Sequence, residues 1–98
     1  MRIVGKKVDA NQSEIVAALR KAGVQVLVMS DVGGGFPDLL AMHKTRRDLV
    51  LLEVKDGSLP PSKRKLTPLE EKFAAAWPVH VVTDVREALA ACGIEVAT

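Results

Sequence analysis

Residues 38 to 55 read Asp-Leu-Leu-Ala-Met-His-Lys-Thr-Arg-Arg-Asp-Leu-Val-Leu-Leu-Glu-Val-Lys. Two apolar stretches flank a polar one in this segment, and that arrangement is typical of a β-hairpin. We predict strands over residues 38–42 and 49–55, joined by a turn over residues 43–48. The rest of the fold is expected to be built around this hairpin.

The register of the hairpin decides which side chains share a face of the sheet. If the turn has an even number of residues and is centred on the polar stretch, Met42 lies opposite Leu49. The same register then puts Asp38 opposite Glu53. Opposed residues share a face of the sheet, and so do alternate residues of one strand. Asp38, Glu53 and Lys55 are therefore predicted to project together from one corner of the sheet.

Two carboxylates on opposed strands need a compensating charge, because opposed like charges destabilise a strand pair. A divalent cation resolves the repulsion, since Mg²⁺ is typically held by one or two carboxylates together with waters and a substrate phosphate. The cation activates a bound water, and Lys55 positions that water or stabilises the transition state. Asp38, Glu53 and Lys55 are therefore the candidate catalytic residues of a metal-assisted reaction at a phosphoryl group.

The same residues have a simpler interpretation. Asp38 follows Pro37 and is then a turn residue, while Glu53 and Lys55 form a surface ion pair. For a Pro-Asp or a Glu-x-Lys pattern taken alone, the simpler interpretation is favoured. The occurrence of both patterns on one predicted hairpin favours the catalytic interpretation.

Capping patterns predict where the helices begin. Asn11 with Glu14 resembles a capping box, so a first helix is expected to start there and to end at Gly23. Residues 24–29, which are mostly apolar and include three β-branched valines, predict a buried strand after it. The glycines at 33–35 then predict a loop that leads to the hairpin.

After the hairpin, Thr67 with Glu70 predicts a second capping box. One apolar stripe is expected along the helix that it starts, formed by Leu66, Leu69, Phe73 and Ala76. Residues 79–82 predict a fourth strand, and Thr83 or Asp84 caps a last helix. The predicted fold is α/β, with a mixed sheet flanked by helices.

The composition is that of one globular domain over residues 1–98, with 48% hydrophobic residues and charges of both signs. No stretch approaches the roughly 20 apolar residues that cross a bilayer. The N-terminal residues also lack the apolar core of a signal peptide. Cys92 is the single cysteine and allows no internal disulfide, so a cytoplasmic setting is expected.

Basic residues are clustered, although the net charge is only +2. Such clusters supply sequence-independent contacts to phosphate backbones, and ordinary solubility is the alternative. The clusters are Arg2 with Lys6 and Lys7, then Lys44 with Arg46 and Arg47, and finally Lys63, Arg64 and Lys65. The last cluster follows the predicted catalytic strand by one loop, so we expect it to hold a nucleic-acid backbone beside the site.

Pro37-Asp38, followed after fourteen residues by Glu53-Val54-Lys55, resembles the signature of PD-(D/E)XK nucleases. The segments Gly35–Leu40 and Leu51–Gly57 resemble the VRR-NUC branch, and so does the helix start at Leu66-Thr67-Pro68. Small stand-alone members of that branch, often carried by phages and bacteria, are the most similar. The resemblance extends over nearly the whole chain.

The resemblance implies a restriction-endonuclease-like αβββαβ core and a DNA endonuclease that uses Mg²⁺ or Mn²⁺. It implies a metal held by Asp38, Glu53, the backbone carbonyl of Val54 and an acidic residue of the first helix. Glu14 matches that acidic residue by position, and its alternative role is to cap the helix with Asn11. The resemblance further implies a homodimer acting on branched or structured DNA, such as four-way junctions. The cytoplasm of a bacterium or of a phage-infected host is the implied location.

One residue departs from the family's pattern. Relatives usually carry a glutamine in the helix after the catalytic lysine, whereas this chain has Glu70 there. Glu70 is then a cap residue only, an addition to the metal site, or a residue that weakens activity, because a carboxylate repels phosphate. Its presence supports an alternative function, a non-catalytic nucleic-acid-binding module that retains the nuclease fold. A third interpretation is a domain that functions only inside a larger assembly.

Overall fold

The helices and strands follow one another in the order that the sequence predicts. The structure is a computed structural model that describes residues 10–95. Its elements are α1 (Gln12–Lys21), β1 (Val24–Val28), β2 (Leu39–His43), β3 (Leu49–Val54), a short 3₁₀ turn (Pro61–Lys63), α2 (Pro68–Ala76), β4 (Val79–Val82) and α3 (Val85–Ala91). The 3₁₀ turn was not predicted, and the other boundaries lie within two residues of the predicted ones, with β4 matching at both ends.

The four strands form one mixed sheet in the order β1-β2-β3-β4. β1 pairs with β2 and β2 with β3 in antiparallel fashion, whereas β3 and β4 are parallel. A parallel pair needs a crossover connection, and the segment that contains α2 supplies it. The chain is therefore an α/β protein with a mixed sheet, as predicted.

The predicted register of the hairpin is confirmed. Met42 lies opposite Leu49, and Leu40 lies opposite Leu51. Asp38 immediately precedes β2, so the same register continued along the chain aligns it with Glu53. Because side chains alternate along both strands, Leu39 and Leu52 lie on one face of the sheet, and Asp38 and Glu53 lie on the other.

The core lies between one face of the sheet and the pair of helices α1 and α3. Every strand contributes to it, and burial is nearly complete because both helices pack on the same face. The buried hydrophobic residues are Ile15, Val16, Leu19, Val24, Val26, Leu39, Ala41, Leu52, Val54, Val82, Ala88 and Cys92. Cys92 therefore serves as a small core side chain, as its helical spacing indicates.

The opposite face of the sheet is open along much of its length. Leu27, Leu49 and Val81 are 60%, 69% and 45% exposed on strands of that face. None of the helices in residues 10–95 covers these side chains. The expected flanking by helices is thus one-sided in the described chain. No described helix has the length and apolar character needed to cross a membrane.

Helix α2 is held in a way that the sequence did not predict. The expected apolar stripe is not buried: Leu69 is 57% exposed, and Glu70 is the buried residue of this helix. α2 instead lies against the loop that precedes β2, where the ring of Phe36 meets that of Phe73 with centroids 5.3 Å apart. Gly35 permits this approach, because a Cβ atom there would collide with the carbonyl group of Leu69. Leu69, Phe73 and Ala76 do share one side of α2, as predicted. That side stays largely exposed because α2 packs on a loop and not on the sheet.

The first helix starts as predicted, but its capping box is wrong. Asn11 has a helical backbone and makes no side-chain cap hydrogen bond. Its amide nitrogen donates instead to the carbonyl oxygens of Lys55 at 3.2 Å and Thr83 at 2.8 Å. Asn11 therefore ties the start of α1 to the ends of β3 and β4, a tertiary role that a local pattern does not reveal.

Candidate active site

Asp38 is buried where the loop after β1 enters β2, and only 2% of its surface is exposed. Its Oδ2 accepts a hydrogen bond from the Val54 backbone N–H at 2.8 Å. Its Oδ1 lies 3.5 Å from the hydroxyl of Ser30, which donates to it. The Asp38 carbonyl oxygen also accepts from the Met29 N–H at 2.7 Å. Asp38 is thus a buried, hydrogen-bonded group between strands and not an exposed turn residue.

Lys55 lies between two buried carboxylates. Its Nζ is 3.5 Å from Glu53 Oε2 and 2.9 Å from Glu70 Oε1. The side chains of Glu53 and Glu70 are 3% and 6% exposed, and that of Lys55 is 14% exposed. The alternative of a surface ion pair does not fit these exposures. The three side chains form a compact ionic cluster at one end of the sheet.

The cluster shifts the protonation of its members. Burial of the Lys55 ammonium works to lower its pKa, but the carboxylates of Glu70 and Glu53 outweigh burial, so the pKa of Lys55 lies above its ordinary value. Burial works to raise the pKa of Glu70, but hydrogen bonds with the side chains of Glu53 and Lys55 and with the Thr67 N–H, together with the charge of Lys55, lower it to about 2. Lys55 is therefore a cation and Glu70 an anion at neutral pH.

Glu70 has two roles at once. The Thr67 N–H donates to Glu70 Oε1 at 2.9 Å, and the Glu70 N–H donates to Thr67 Oγ1 at 3.2 Å. This confirms the predicted capping box. The same Oε1 atom accepts from Lys55. The first turn of α2 is therefore linked directly to the candidate catalytic lysine.

Glu14 and Gln12 occupy different sides of the first turn of α1. Glu14 is exposed, whereas Gln12 is only 4% exposed and hydrogen bonds with Ser30. Ser30 in turn contacts Asp38, so the residue of α1 that the structure links to the candidate acid is Gln12. Glu14 as a metal ligand stays a prediction from the resemblance.

The donor set fits one kind of metal site and not another. Within residues 10–95, no group of three or more histidine, cysteine, aspartate or glutamate side chains is arranged to hold a metal ion. A site closed by several acidic side chains is therefore not formed by the described chain. Asp38 and Glu53 do provide two hard oxygen donors in one register, and Mg²⁺ binds through one or two carboxylates with water and phosphate completing its shell. The residues fit such an open site, and Val54 as a carbonyl ligand stays a prediction.

The basic residues of the loop before α2 lie in and after the 3₁₀ turn. Lys63 and Lys65 are exposed, and Arg64 is half-buried. The Nε of Arg64 is buried without a hydrogen-bond partner in the described part of the chain. Arg46, expected in a second cluster, donates to the carbonyl oxygens of Cys92 and Gly93 at the end of α3. The cluster of Arg2, Lys6 and Lys7 lies outside the described residues.

Sequence reasoning missed Gln12 and Ser30. One signal was present: Gln12 falls at helical spacing with Ile15, Val16 and Leu19, so a polar residue occupies the apolar stripe of α1. A buried polar side chain needs a hydrogen-bond partner. That partner is Ser30, and no local pattern links the two residues.

Comparisons with known proteins do not identify a family for this chain, so its family is inferred from its own residues. Neither the protein-family models, nor the curated proteins, nor the solved structures gave a match to it.

Proposed function

We propose that this chain is a metal-dependent DNA endonuclease of the PD-(D/E)XK kind, with a restriction-endonuclease-like core of the VRR-NUC branch. The observation that carries the proposal is the buried cluster where β2 begins and β3 ends. There, Asp38 and Glu53 share a register, and the Lys55 ammonium lies 3.5 Å from Glu53. Buried charges on this scale are costly to stability, so their concentration at one corner favours a chemical role.

Asp38 and Glu53 are the residues that would hold the cation. A bound Mg²⁺ or Mn²⁺ supplies an activated water and charge stabilisation at the scissile phosphate. The implied set also includes the Val54 carbonyl and Glu14. Asp38 would contribute from a carboxylate whose position is fixed by the Val54 N–H at 2.8 Å.

Lys55 acts as a cation in this proposal. Because its pKa lies above the ordinary value, it is a poor general base at neutral pH. Its role is to donate a hydrogen bond to a phosphate oxygen and, through its positive charge, to stabilise the negative charge that develops there. Glu53 and Glu70 hold the ammonium at the edge of the site, with 14% of the side chain exposed.

The substrate of the proposal is branched or structured DNA, bound by a homodimer in the cytoplasm of a bacterium or of a phage-infected host. Lys63, Arg64 and Lys65 would contact the phosphate backbone, since Lys63 and Lys65 are exposed and Arg64 is half-buried. A symmetric pair of sites would extend the DNA-binding surface of a chain of 98 residues.

The test is cleavage of a labelled four-way junction and of a matched linear duplex, with Mn²⁺, Mg²⁺ or EDTA. Lys55→Ala is expected to lower the cleavage rate about a thousandfold, which corresponds to about 4 kcal/mol of transition-state stabilisation. Lys72→Ala is the matched control, because Lys72 is exposed on α2 and, within residues 10–95, its side chain has no hydrogen bond or ion pair with the cluster. Metal-dependent cleavage by the Lys55→Ala variant at the wild-type rate contradicts the proposal.

A non-catalytic DNA-binding module is the second candidate, and one contact favours it. The Lys55 ammonium is already held at 2.9 Å by Glu70, where relatives are expected to have a neutral glutamine. The pairing lowers the positive charge that Lys55 offers to a phosphate. Metal-independent binding of the junction without cleavage by the wild-type chain would favour this candidate. Cleavage gained by Glu70→Gln would then show which residue suppresses it.

A further inference from the structure

A buried chain of polar side chains runs from the start of α1 to Asp38. Gln12 and Ser30 are 4% and 3% exposed, although neither belongs to the predicted site. Gln12 Nε2 donates to Ser30 Oγ at 3.1 Å, and Ser30 Oγ lies 3.5 Å from Asp38 Oδ1. Each of these groups is removed from water, so each depends on its neighbour for hydrogen bonding.

The number of available protons decides which group donates and which accepts at each hydrogen bond from Gln12 to Asp38. The Ser30 hydroxyl has one proton, and two acceptors lie within reach, Gln12 Oε1 at 3.3 Å and Asp38 Oδ1 at 3.5 Å. A carboxylate is a stronger acceptor than an amide oxygen. If Ser30 donates to Asp38, the Ser30 oxygen is free to accept from Gln12 Nε2. In this order every step has one donor and one acceptor, from Gln12 through Ser30 to Asp38.

The backbone keeps Ser30 beside the carboxylate. Ser30 directly follows Met29, whose N–H donates to the Asp38 carbonyl oxygen at 2.7 Å. On its other side, Asp38 Oδ2 accepts from the Val54 N–H at 2.8 Å. The two carboxylate oxygens therefore have separate donors, which hold the carboxylate from two sides.

We propose that Gln12 and Ser30 are positioning residues that orient the Asp38 carboxylate for cation binding. The inference rests on the proposed function, because it assigns these residues to the same site. Residues that orient a metal ligand through hydrogen bonds affect metal affinity or activity about ten- to hundredfold when they are changed. Besides Glu14, the ligand that the resemblance implies, α1 then contributes a neutral amide that acts through Ser30.

The experiment compares Ser30→Ala and Gln12→Met with the wild-type chain in Mn²⁺ binding by calorimetry. Both variants keep the approximate size of the side chain and remove the hydrogen bond. Each is expected to weaken Mn²⁺ affinity about tenfold or more. The Mn²⁺ affinity of the double variant is expected to be about that of the weaker-binding single variant, because Gln12 and Ser30 act in series through the same hydrogen bonds to Asp38.

Two further variants separate positioning from folding. Ser30→Thr keeps the hydroxyl and is expected to restore binding, while Ser13→Ala removes a hydroxyl from the exposed side of α1 and is expected to have no effect. The ¹³C resonance of the Asp38 carboxyl carbon provides a readout that needs no metal. It is expected to shift in Ser30→Ala and not in Ser13→Ala. If Gln12→Met does not fold, the Ser30 variants carry the test.

Unchanged Mn²⁺ affinity and an unchanged Asp38 resonance in Ser30→Ala overturn the inference. Additive losses in the double variant also overturn it, because they show separate effects of the two residues. A wild-type chain that neither binds Mn²⁺ nor cleaves DNA contradicts the proposed function itself. In that case the Asp38 resonance decides the hydrogen-bond chain alone, since a shift in Ser30→Ala supports it and no shift overturns it.

Discussion

The two sides of the β2–β3 hairpin are built from alternating residues of the same strands, yet they are stabilised in opposite ways. On one side, Leu39 and Leu52 are fully buried against α1 and α3. On the other side, Asp38 and Glu53 are each 2% exposed, and their neighbours are hydrogen-bonding and charged groups. The first side gains free energy by removing apolar surface from water, whereas the second must offset the loss of hydration of its charges.

The difference shows how one register serves both folding and the candidate chemistry. A slip of one residue would turn the leucines away from the helices and bring the carboxylates into the core. The apolar side therefore fixes the position of the polar side. The buried charges of the polar side can therefore lower the stability of the fold without changing the register of the strands.

Asp38→Asn changes the polar side alone and is expected to have the largest effect. The variant keeps the shape of the side chain and removes its charge, so the proposed cation loses a ligand. The cleavage rate should fall about a thousandfold, or about 4 kcal/mol in transition-state stabilisation. Single-turnover cleavage at saturating Mn²⁺ measures it, with the far-UV spectrum as a check on folding. A folded variant with the wild-type rate would remove Asp38 from the chemistry.

Leu52→Ala changes the apolar side alone. Leu52 is fully buried, so the substitution should lower the free energy of unfolding by about 3 kcal/mol through lost burial and a cavity. Leu49→Ala is the matched control on the opposite, open face of the sheet, where 69% exposure predicts a change within about 0.5 kcal/mol. Urea titration followed by circular dichroism measures both. Equal losses in the two variants would mean that the two faces are not distinguished as described.

Glu70→Gln is expected to change how stability depends on pH. The pKa of Glu70 is lowered from 4.5 to about 2 in the folded chain, so its carboxylate contributes stability above pH 4.5. That contribution is lost as the pH falls from 4.5 towards 2. The difference in stability between the wild-type chain and the variant should therefore be largest above pH 4.5 and should decrease on acidification.

Thr67→Ala is the control for the cap function of Glu70. It removes the hydroxyl that accepts from the Glu70 N–H at 3.2 Å and leaves the contact with Lys55 in place. A loss of about 1 kcal/mol with little dependence on pH is expected. Urea titrations at several pH values measure both variants. If the stability of Glu70→Gln and of Thr67→Ala depends on pH in the same way, the contact between Glu70 and Lys55 adds no stability beyond the cap.

Lys65→Ala is expected to have the smallest effect. Lys65 is exposed next to the end of the 3₁₀ turn, so a phosphate contact there would contribute screened electrostatic attraction only. The slope of log affinity against log salt concentration should decrease in magnitude by about 1. Junction binding in EDTA, measured over a range of salt concentrations, tests this without cleavage. An unchanged slope would remove Lys65 from the proposed DNA contacts.

The amino-acid sequence by itself determined the order of the elements, the register of the hairpin and the Thr67–Glu70 capping box. These features depend on neighbours within a few residues, through strand alternation, turn length and cap hydrogen bonds. The same strand alternation and turn length place Asp38 and Glu53 in one register. A local pattern is sufficient wherever the interactions that decide the outcome are themselves local.

Only the tertiary structure decided which polar side chains meet. Asn11 reaches the carbonyl of Lys55, Gln12 reaches Ser30, and Glu70 reaches Lys55, across separations of 44, 18 and 15 residues. Each of these partners is selected by burial, because a polar group removed from water bonds with whatever group the packing brings near. The packing of α2 on a loop instead of on the sheet has the same origin. It depends on how distant segments fit together, which no spacing within the helix specifies.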